Sequence, residues 1–356
     1  LTVSVNKLGS NVRLGAGLGG LLAAGWLGAA TARAGAGEAP GAEPAVVLRG
    51  AVLEVDEEND WFAGTDRHYT QGARIVYLGA EDRADRGLAA RLPAVGFQPS
   101  AVRWGGELGQ SIYTPENLAA RLPQTYDRPY AGWLYTGAVL QRRGLTAGSL
   151  PTLENIRLQL GVIGPDSFAQ EQQEWAHFAG GFQRARGWDN QLPNKPGLAL
   201  KVQRACRLAA WQGSVADVDV IPHVGASLGN VDTSLRAGAQ LRLGGRLPDD
   251  FGRQTIDALA ISDGGRPVAA ADRRRNWYVF AGVEGRAVGY NAFLDGNMFQ
   301  SSLSVDKRPF VFELQSGLVI QWSRVDLSFV IAFRSEEFVG QDRWDDFGAI
   351  TLRWCY

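Results

Sequence analysis

The chain has 356 residues, 36 Lys and Arg against 37 Asp and Glu, 45% hydrophobic side chains and 45 Gly. That length can build a large core, the balanced charge argues against a protein that grips nucleic acid through a basic face, and the apolar content excludes a disordered chain. Glycine at roughly 13%, against ~7% in ordinary proteins, is scattered rather than set at every third residue, which excludes collagen and favours many turns and close backbone contacts.

Residues 1–34 carry Lys7 and Arg13, an apolar stretch from Leu14 to Ala30, and then Ala32-Arg33-Ala34, a small-x-small site. This pattern predicts a secretory signal peptide over 1–34, leaving 35–356 as one domain. No later window approaches the ~18 apolar residues of a spanning helix. An exported chain that lives in a membrane without such helices must be a closed β-barrel, because only helices and barrels satisfy the backbone in lipid.

Period-two alternation then runs along the chain. Ile156, Leu158, Leu160 and Val162 interleave with Arg157, Gln159 and Gly161; Leu235, Ala237, Ala239, Leu241 and Leu243 with Arg236, Gly238, Gln240 and Arg242. Leu327, Phe329, Ile331 and Phe333 alternate with Asp326, Ser328 and Arg334, and Ile350, Leu352, Trp354 and Tyr356 with Thr351, Arg353 and Cys355. Arginine at alternate positions suits a polar or charge-paired lumen. The predicted strands are 48–58, 69–80, 101–114, 129–142, 152–163, 196–212, 214–230, 233–246, 276–289, 308–323, 325–338 and 345–356, with 291–302 either a strand extension or a loop. Twelve is an even number, as a single-chain bacterial barrel requires, and the fold class is an all-β transmembrane antiparallel barrel. Trp133, Tyr135, Trp277, Tyr278, Trp322 and Trp344 are expected in the interfacial girdles. Cys206 and Cys355, too few for a disulfide framework, are expected as unpaired thiols.

Between the fifth and sixth strands, Pro165 to about Gly180 reads as a short helix in an outer loop, with Asp166 or Ser167 as N-cap. Gln170, Gln173 and His177 then share a face at i, i+3 and i+7. Of the three histidines, His223 falls on the lumen side of a strand and His68 reads as a loop residue. His177, on the amide-bearing face, is the candidate general base. A second cluster, Glu57-Glu58-Asn59-Asp60 with Thr65, Asp66 and Thr70, offers hard oxygens of the kind Ca²⁺ takes, though Asn and Asp also serve ordinary turns. Gly-x-Ser-x-Gly, His-Glu-x-x-His and P-loop patterns are absent. If the first strand starts in the periplasm, the loops after odd strands share the outer rim, so Asn59, Asp60, Thr70, the 115–128 loop and His177 meet there.

These segments carry a resemblance. Glu58-Asn59-Asp60, Thr65-Asp66-Arg67-His68-Tyr69-Thr70-Gln71-Gly72, Asp127-Arg128-Pro129-Tyr130-Ala131-Gly132-Trp133, Gly161-Val162-Ile163-Gly164-Pro165, Gln170-Glu171 through His177, and Gly187-Trp188-Asp189-Asn190-Gln191 look like the lipid A 3′-O-deacylase family of outer-membrane proteins. The match in order covers about residues 50–197, and more loosely Trp277 to Tyr356. The resemblance implies a twelve-stranded barrel in the bacterial outer membrane that hydrolyses the ester-linked 3′ acyloxyacyl group of lipid A in lipopolysaccharide and uses a divalent cation, usually Ca²⁺. It implies His177 as the residue that activates water, Asn59, Asp60 and Thr70 as the polar catalytic corner, and Asp60 and Thr70 on the metal. Arg67, Arg74, Arg128, Gln170 and Gln173 are the expected substrate-binding residues. One feature departs from the family: its loop lysine after the third strand has no counterpart, since no Lys lies between Lys7 and Lys195. Arg121 and Arg128 are the candidates to hold a lipid A phosphate instead, though an arginine cannot titrate. The rival readings are a barrel without catalysis, as a channel or structural protein, and an outer-membrane phospholipase-type esterase.

Overall fold

The computed structural model of the chain describes residues 46–64, 67–85, 87–264 and 275–356. The predicted signal peptide, residues 1–34, lies outside them, as do Thr65 and Asp66. Twelve long strands form the wall: β1 Val52–Asn59, β2 His68–Leu78, β3 Phe97–Thr114, β4 Ala131–Thr146, β5 Pro151–Ile163, β6 Lys195–Cys206, β7 Asp217–Gly229, β8 Asp232–Gly244, β9 Arg275–Asn291, β10 Phe310–Trp322, β11 Val325–Arg334 and β12 Asp345–Cys355. Each pairs antiparallel with the next, and β12 returns to β1 from Val52↔Cys355 to Asn59↔Gly348, so the sheet closes without a free edge. The sixth predicted strand is shorter than expected. Its end becomes a separate short strand, Ala209–Gln212, folded back on β7. The 291–302 stretch opens as a one-turn helix, Ala292–Asp295.

Alternation sorts the side chains as the sequence implies. Leu235, Leu241 and Leu243 are exposed on the outer face of β8, while Arg236 and Arg242 between them are buried in the lumen. An outer face of this composition is what hydrocarbon demands. The lumen arginines meet carboxylates: Arg353 with Glu54, Arg157 with Glu107, Arg242 with Asp219 and Asp250. Such buried pairs add little net stability over apolar packing, but breaking one leaves an uncompensated charge, so they fix which face turns inward. No disulfide joins Cys206 and Cys355.

Parity corrects half of the expected girdle. Trp277, Trp322 and Trp344 are exposed, but Trp133, Tyr135 and Tyr278 are buried in the lumen. Trp133 stacks on Tyr135 at 5.5 Å, and the Arg242 guanidinium lies over the Tyr278 ring. These three alternate with outward residues on their own strands, a constraint that aromatic content alone does not reveal.

The lumen is plugged. After β8 the chain re-enters the barrel, and residues 251–264 lie mostly buried inside it. Wall side chains reach its backbone: Ile256 N–H donates to Glu58, Arg157 donates to the carbonyls of Ala258 and Leu259, and Gln141 to that of Ile261. Arg49 pairs with Asp263 near one rim, while Arg286 and Arg334 pair with Asp257 near the other. A segment without sheet hydrogen bonds is thereby satisfied by the wall.

Candidate active site

Helix α1, Ala169–Gly180, stands on the outer wall at the rim reached by the ends of β1, β3 and β5. It begins differently from the sequence expectation. Pro165–Ser167 forms a separate 3-10 turn, and Phe168, in the left-handed region at φ 57°, occupies the cap position, so neither Asp166 nor Ser167 caps the helix. The Ser167 hydroxyl instead donates to the Gly164 carbonyl.

On β3, Trp104 and Leu108 are exposed, so Gln110 and Ile112, two and four residues beyond Leu108, share the outer face; both are nonetheless buried, because α1 covers them. Ile112 packs with Leu118, Tyr130, Ala169, Ala185 and Trp188 in one apolar cluster. Gly132 on β4 permits the approach: a Cβ there would lie 2.0 Å from Ser167 Oγ and 2.3 Å from the Ala169 Cβ.

The wall-facing side of α1 is Ala169, Gln173 and His177. His177 Nδ1 lies 2.5 Å from the carbonyl oxygen of Gln183, which only a protonated Nδ1 can satisfy; in the neutral ring that leaves the basic lone pair on Nε2. The Gln173 amide accepts from the indole N–H of Trp188 at 2.8 Å. Gln170 sits at the margin of this face, with its amide on Glu174. Phe168, Trp175 and Phe178 are exposed.

The corner at the end of β1 lies beside this helix. Asn59 caps a 3-10 turn, Asp60–Ala63, by accepting from the Trp61 N–H, and buried Asp60 accepts from the Arg67 backbone N–H. Thr70, at a bulge in β2, shares a 2.7 Å hydrogen bond with the Thr114 hydroxyl of β3. The Phe182 ring bridges the two parts, 5.6 Å from Trp61 and 5.8 Å from His177. Phe182 and Trp61 thus connect His177 to the turn that carries Asn59 and Asp60, Gln173 shares the wall-facing side of α1 with His177, and Thr70 precedes Gln71, the cross-strand partner of Asn59.

It does not gather the acidic run as a unit. Glu57 faces outward onto Gln71, whereas Glu58 faces the lumen and binds the Tyr69 hydroxyl and the Ile256 N–H. Among the described residues no three His, Cys, Asp or Glu side chains cluster as a metal site. The donor types nevertheless suit a hard cation, since the buried Asp60 carboxylate and Thr70 hydroxyl are both oxygen donors; Gln110 Oε1, which has no hydrogen-bond partner among the described residues, lies apart from them, four residues from Thr114 along β3 with its amide nitrogen on the Ser167 carbonyl.

The arginines fall elsewhere than expected. Arg74 points into the lumen and pairs with Asp56, because it alternates with the exposed Ile75 and Tyr77. Arg128 is wholly buried, paired with Glu337 and set over the Tyr113 ring. Arg67 is buried and reaches Glu116, Asp342 and Asp345. None of the three presents an exposed guanidinium to a ligand, whereas Arg121 is exposed. Sequence reasoning missed His68 as a structural residue: Asp345 lies 2.8 Å from its Nδ1 and Asp127 3.3 Å from its Nε2. The signal was the pair of acidic residues flanking the distant loops, unreadable without the fold.

A closed twelve-stranded barrel with a polar, plugged lumen, an apolar exterior and a helix docked on its outer wall is a bacterial outer-membrane protein. The family model described as "Outer membrane protein LpxR" matches residues 21–356, and the chain belongs to that family, as an outer-membrane, lipid A-modifying enzyme. Among solved structures it resembles LpxR from Salmonella typhimurium, with 23% identity and a TM-score of 0.67 over 86% of this chain and 100% of that one, which shows the shared fold. The β domain of the Bordetella autotransporter BrkA also matches, at 10% identity and TM-score 0.43 over 87% of this chain and 100% of that one. No curated protein matches the chain in sequence.

Proposed function

We propose that this protein is a lipid A 3′-O-deacylase, hydrolysing the ester that links the 3′ acyloxyacyl group, with the α1 rim facing the cell exterior and the substrate drawn from the outer leaflet. The observation that carries the reading is His177, whose Nδ1–H is committed to the Gln183 carbonyl on a helix docked against the outer wall. Its Nε2 takes a proton from water as the water oxygen bonds to the ester carbonyl carbon. Collapse of the tetrahedral species breaks the bond to the sugar oxygen, which receives the proton from the imidazolium, and the free acyloxyacyl acid leaves. Asn59 fixes the turn that carries Asp60, and Thr70 and Asp60 are the side chains that would hold Ca²⁺. A cation bound there supplies positive charge to the carbonyl oxygen as it becomes negative.

Two features weigh against the rivals. The segment 251–264 fills the lumen that a passive channel would need open. Ser167, the serine nearest His177 in the chain, is wholly buried with its hydroxyl on Gly164, which is no arrangement for a nucleophile.

The test is hydrolysis of purified lipid A by the detergent-solubilised protein. Chelation of divalent cations is expected to abolish release of the 3′ chain, added Ca²⁺ to restore it, and Asp60→Ala to leave a protein that excess Ca²⁺ rescues poorly. Full activity in chelator removes the cation from the proposal.

A further inference from the structure

Gln173 is 1% exposed, and among the described residues its Nε2 has no hydrogen-bond acceptor. Which end of a glutamine amide is nitrogen is ordinarily ambiguous, but here the partner decides. The Trp188 indole N–H can only donate, so the atom 2.8 Å from it must be Oε1. The amide is thus held with its NH₂ turned away from Trp188. A buried donor without an acceptor is costly and asks for an explanation. Gln173 lies four residues before His177 on the wall-facing side of α1, so the two side chains are neighbours about 5–6 Å apart at Cβ.

We propose that Gln173 Nε2 donates a hydrogen bond to the carbonyl oxygen of the ester under attack, and that Trp188 is the positioning residue that aims it. This rests on the reading of α1 as the catalytic helix. The carbonyl oxygen is the acceptor that must lie within reach of a group beside the base, because the water that His177 activates attacks the carbon bearing it. That oxygen gains negative charge in the transition state, so a pre-oriented donor acts there more strongly than on the bound ester. Trp188 itself stays out of the reaction: it is buried in the cluster with Ile112, Tyr130 and Ala169, and its ring is tilted on Tyr130 at 4.9 Å.

Substitution separates the two roles. Gln173→Glu is nearly isosteric and keeps an oxygen to accept from Trp188, but it has no N–H to donate. If Gln173 only anchored Trp188, this variant would match wild type. The proposal expects kcat on the high-pH plateau to fall by ~10² or more with KM little changed, the scale of losing one oxyanion donor. Reading the plateau separates a lost donor from a shifted base, since an added carboxylate beside His177 moves the limb of the pH profile rather than its height. Trp188→Phe keeps the ring, removes the indole N–H and frees the amide to turn; kcat falls less than in Gln173→Glu. In the double variant Trp188→Phe adds no further loss, because there is no donor left to aim. Wild-type plateau kcat in Gln173→Glu overturns the proposal, and additive losses in the double variant overturn the role of Trp188. His177→Ala is measured alongside. If it is inactive while Gln173→Glu is normal, only this inference fails; if it is active, the catalytic reading of α1 fails first.

Discussion

An imidazole with a carboxylate at each nitrogen ties together the rim loops. His68 stands at the start of β2 with a φ of 61°, a strained conformation for a side chain of this size. Asp345 and Asp127, from segments distant in sequence, hold it there. Burial alone would push the Asp127 carboxyl up, but the hydrogen bond and charge of His68, together with the backbone N–H groups of Glu116 and Arg128, outweigh it and hold the group below the usual carboxylate range. A carboxylate depressed on folding contributes stability that is fully present above its unfolded value, ~4, and is lost as pH falls through its folded value. Limited proteolysis of the detergent-solubilised protein is therefore expected to find the 115–128 loop resistant down to about pH 4 and cleaved below it. Asp127→Asn should make the loop susceptible already at pH 7; unchanged resistance would show that His68 and Asp127 do not secure it. At this scale the shared face of Gln173 and His177 was legible, because residues four apart in a helix lie on the same side. Arg67 and Arg128 were not, because their partners Asp345 and Glu337 lie more than 200 residues away.

The position of α1 depends on a glycine rather than on its own sequence preferences. The helix was readable from Pro165 to Gly180, and its end at Gly180 agrees, but its start was not: a 3-10 turn and the left-handed Phe168 replace the expected side-chain cap. Tertiary contact wins here, since Ser167 is pressed against the wall at Gly132 and its hydroxyl is taken by Gly164. Gly132→Val places branched carbon where Ser167 and Ala169 now lie and must push the helix outward. The barrel, whose hydrogen bonds run within the sheet, is expected to keep its heat-modifiable mobility on gels, while hydrolysis falls by ~10² or more because the base is displaced from the corner at Asp60. Wild-type activity in Gly132→Val would mean that the close contact of α1 with the wall does not matter to the reaction.

Closure of twelve strands was legible from period-two alternation because the lumen is polar and the exterior apolar, so each strand reads as a simple pattern. The plug was not legible. Residues 251–264 pair with no wall strand, and they are ordered by side chains from many strands, such as Arg157 of β5 and Arg286 of β9. The surplus of inward arginines was the available hint, since each needs acceptors that the wall carboxylates supply only in part. In planar bilayers the intact protein is expected to conduct no ions, and deletion of 251–264 to open a steady conductance. An open pore in the intact protein would contradict the plug.

Whether His177 on α1 carries the deacylation of lipid A is decided by mass spectrometry of lipid A from cells with the wild-type gene or with His177→Ala. The wild-type protein is expected to remove the mass of the 3′ acyloxyacyl group, while His177→Ala, present in the outer membrane at equal level and still heat-modifiable, leaves lipid A intact. Unchanged lipid A in wild-type cells under calcium-replete conditions, or the same loss with His177→Ala, would contradict that role.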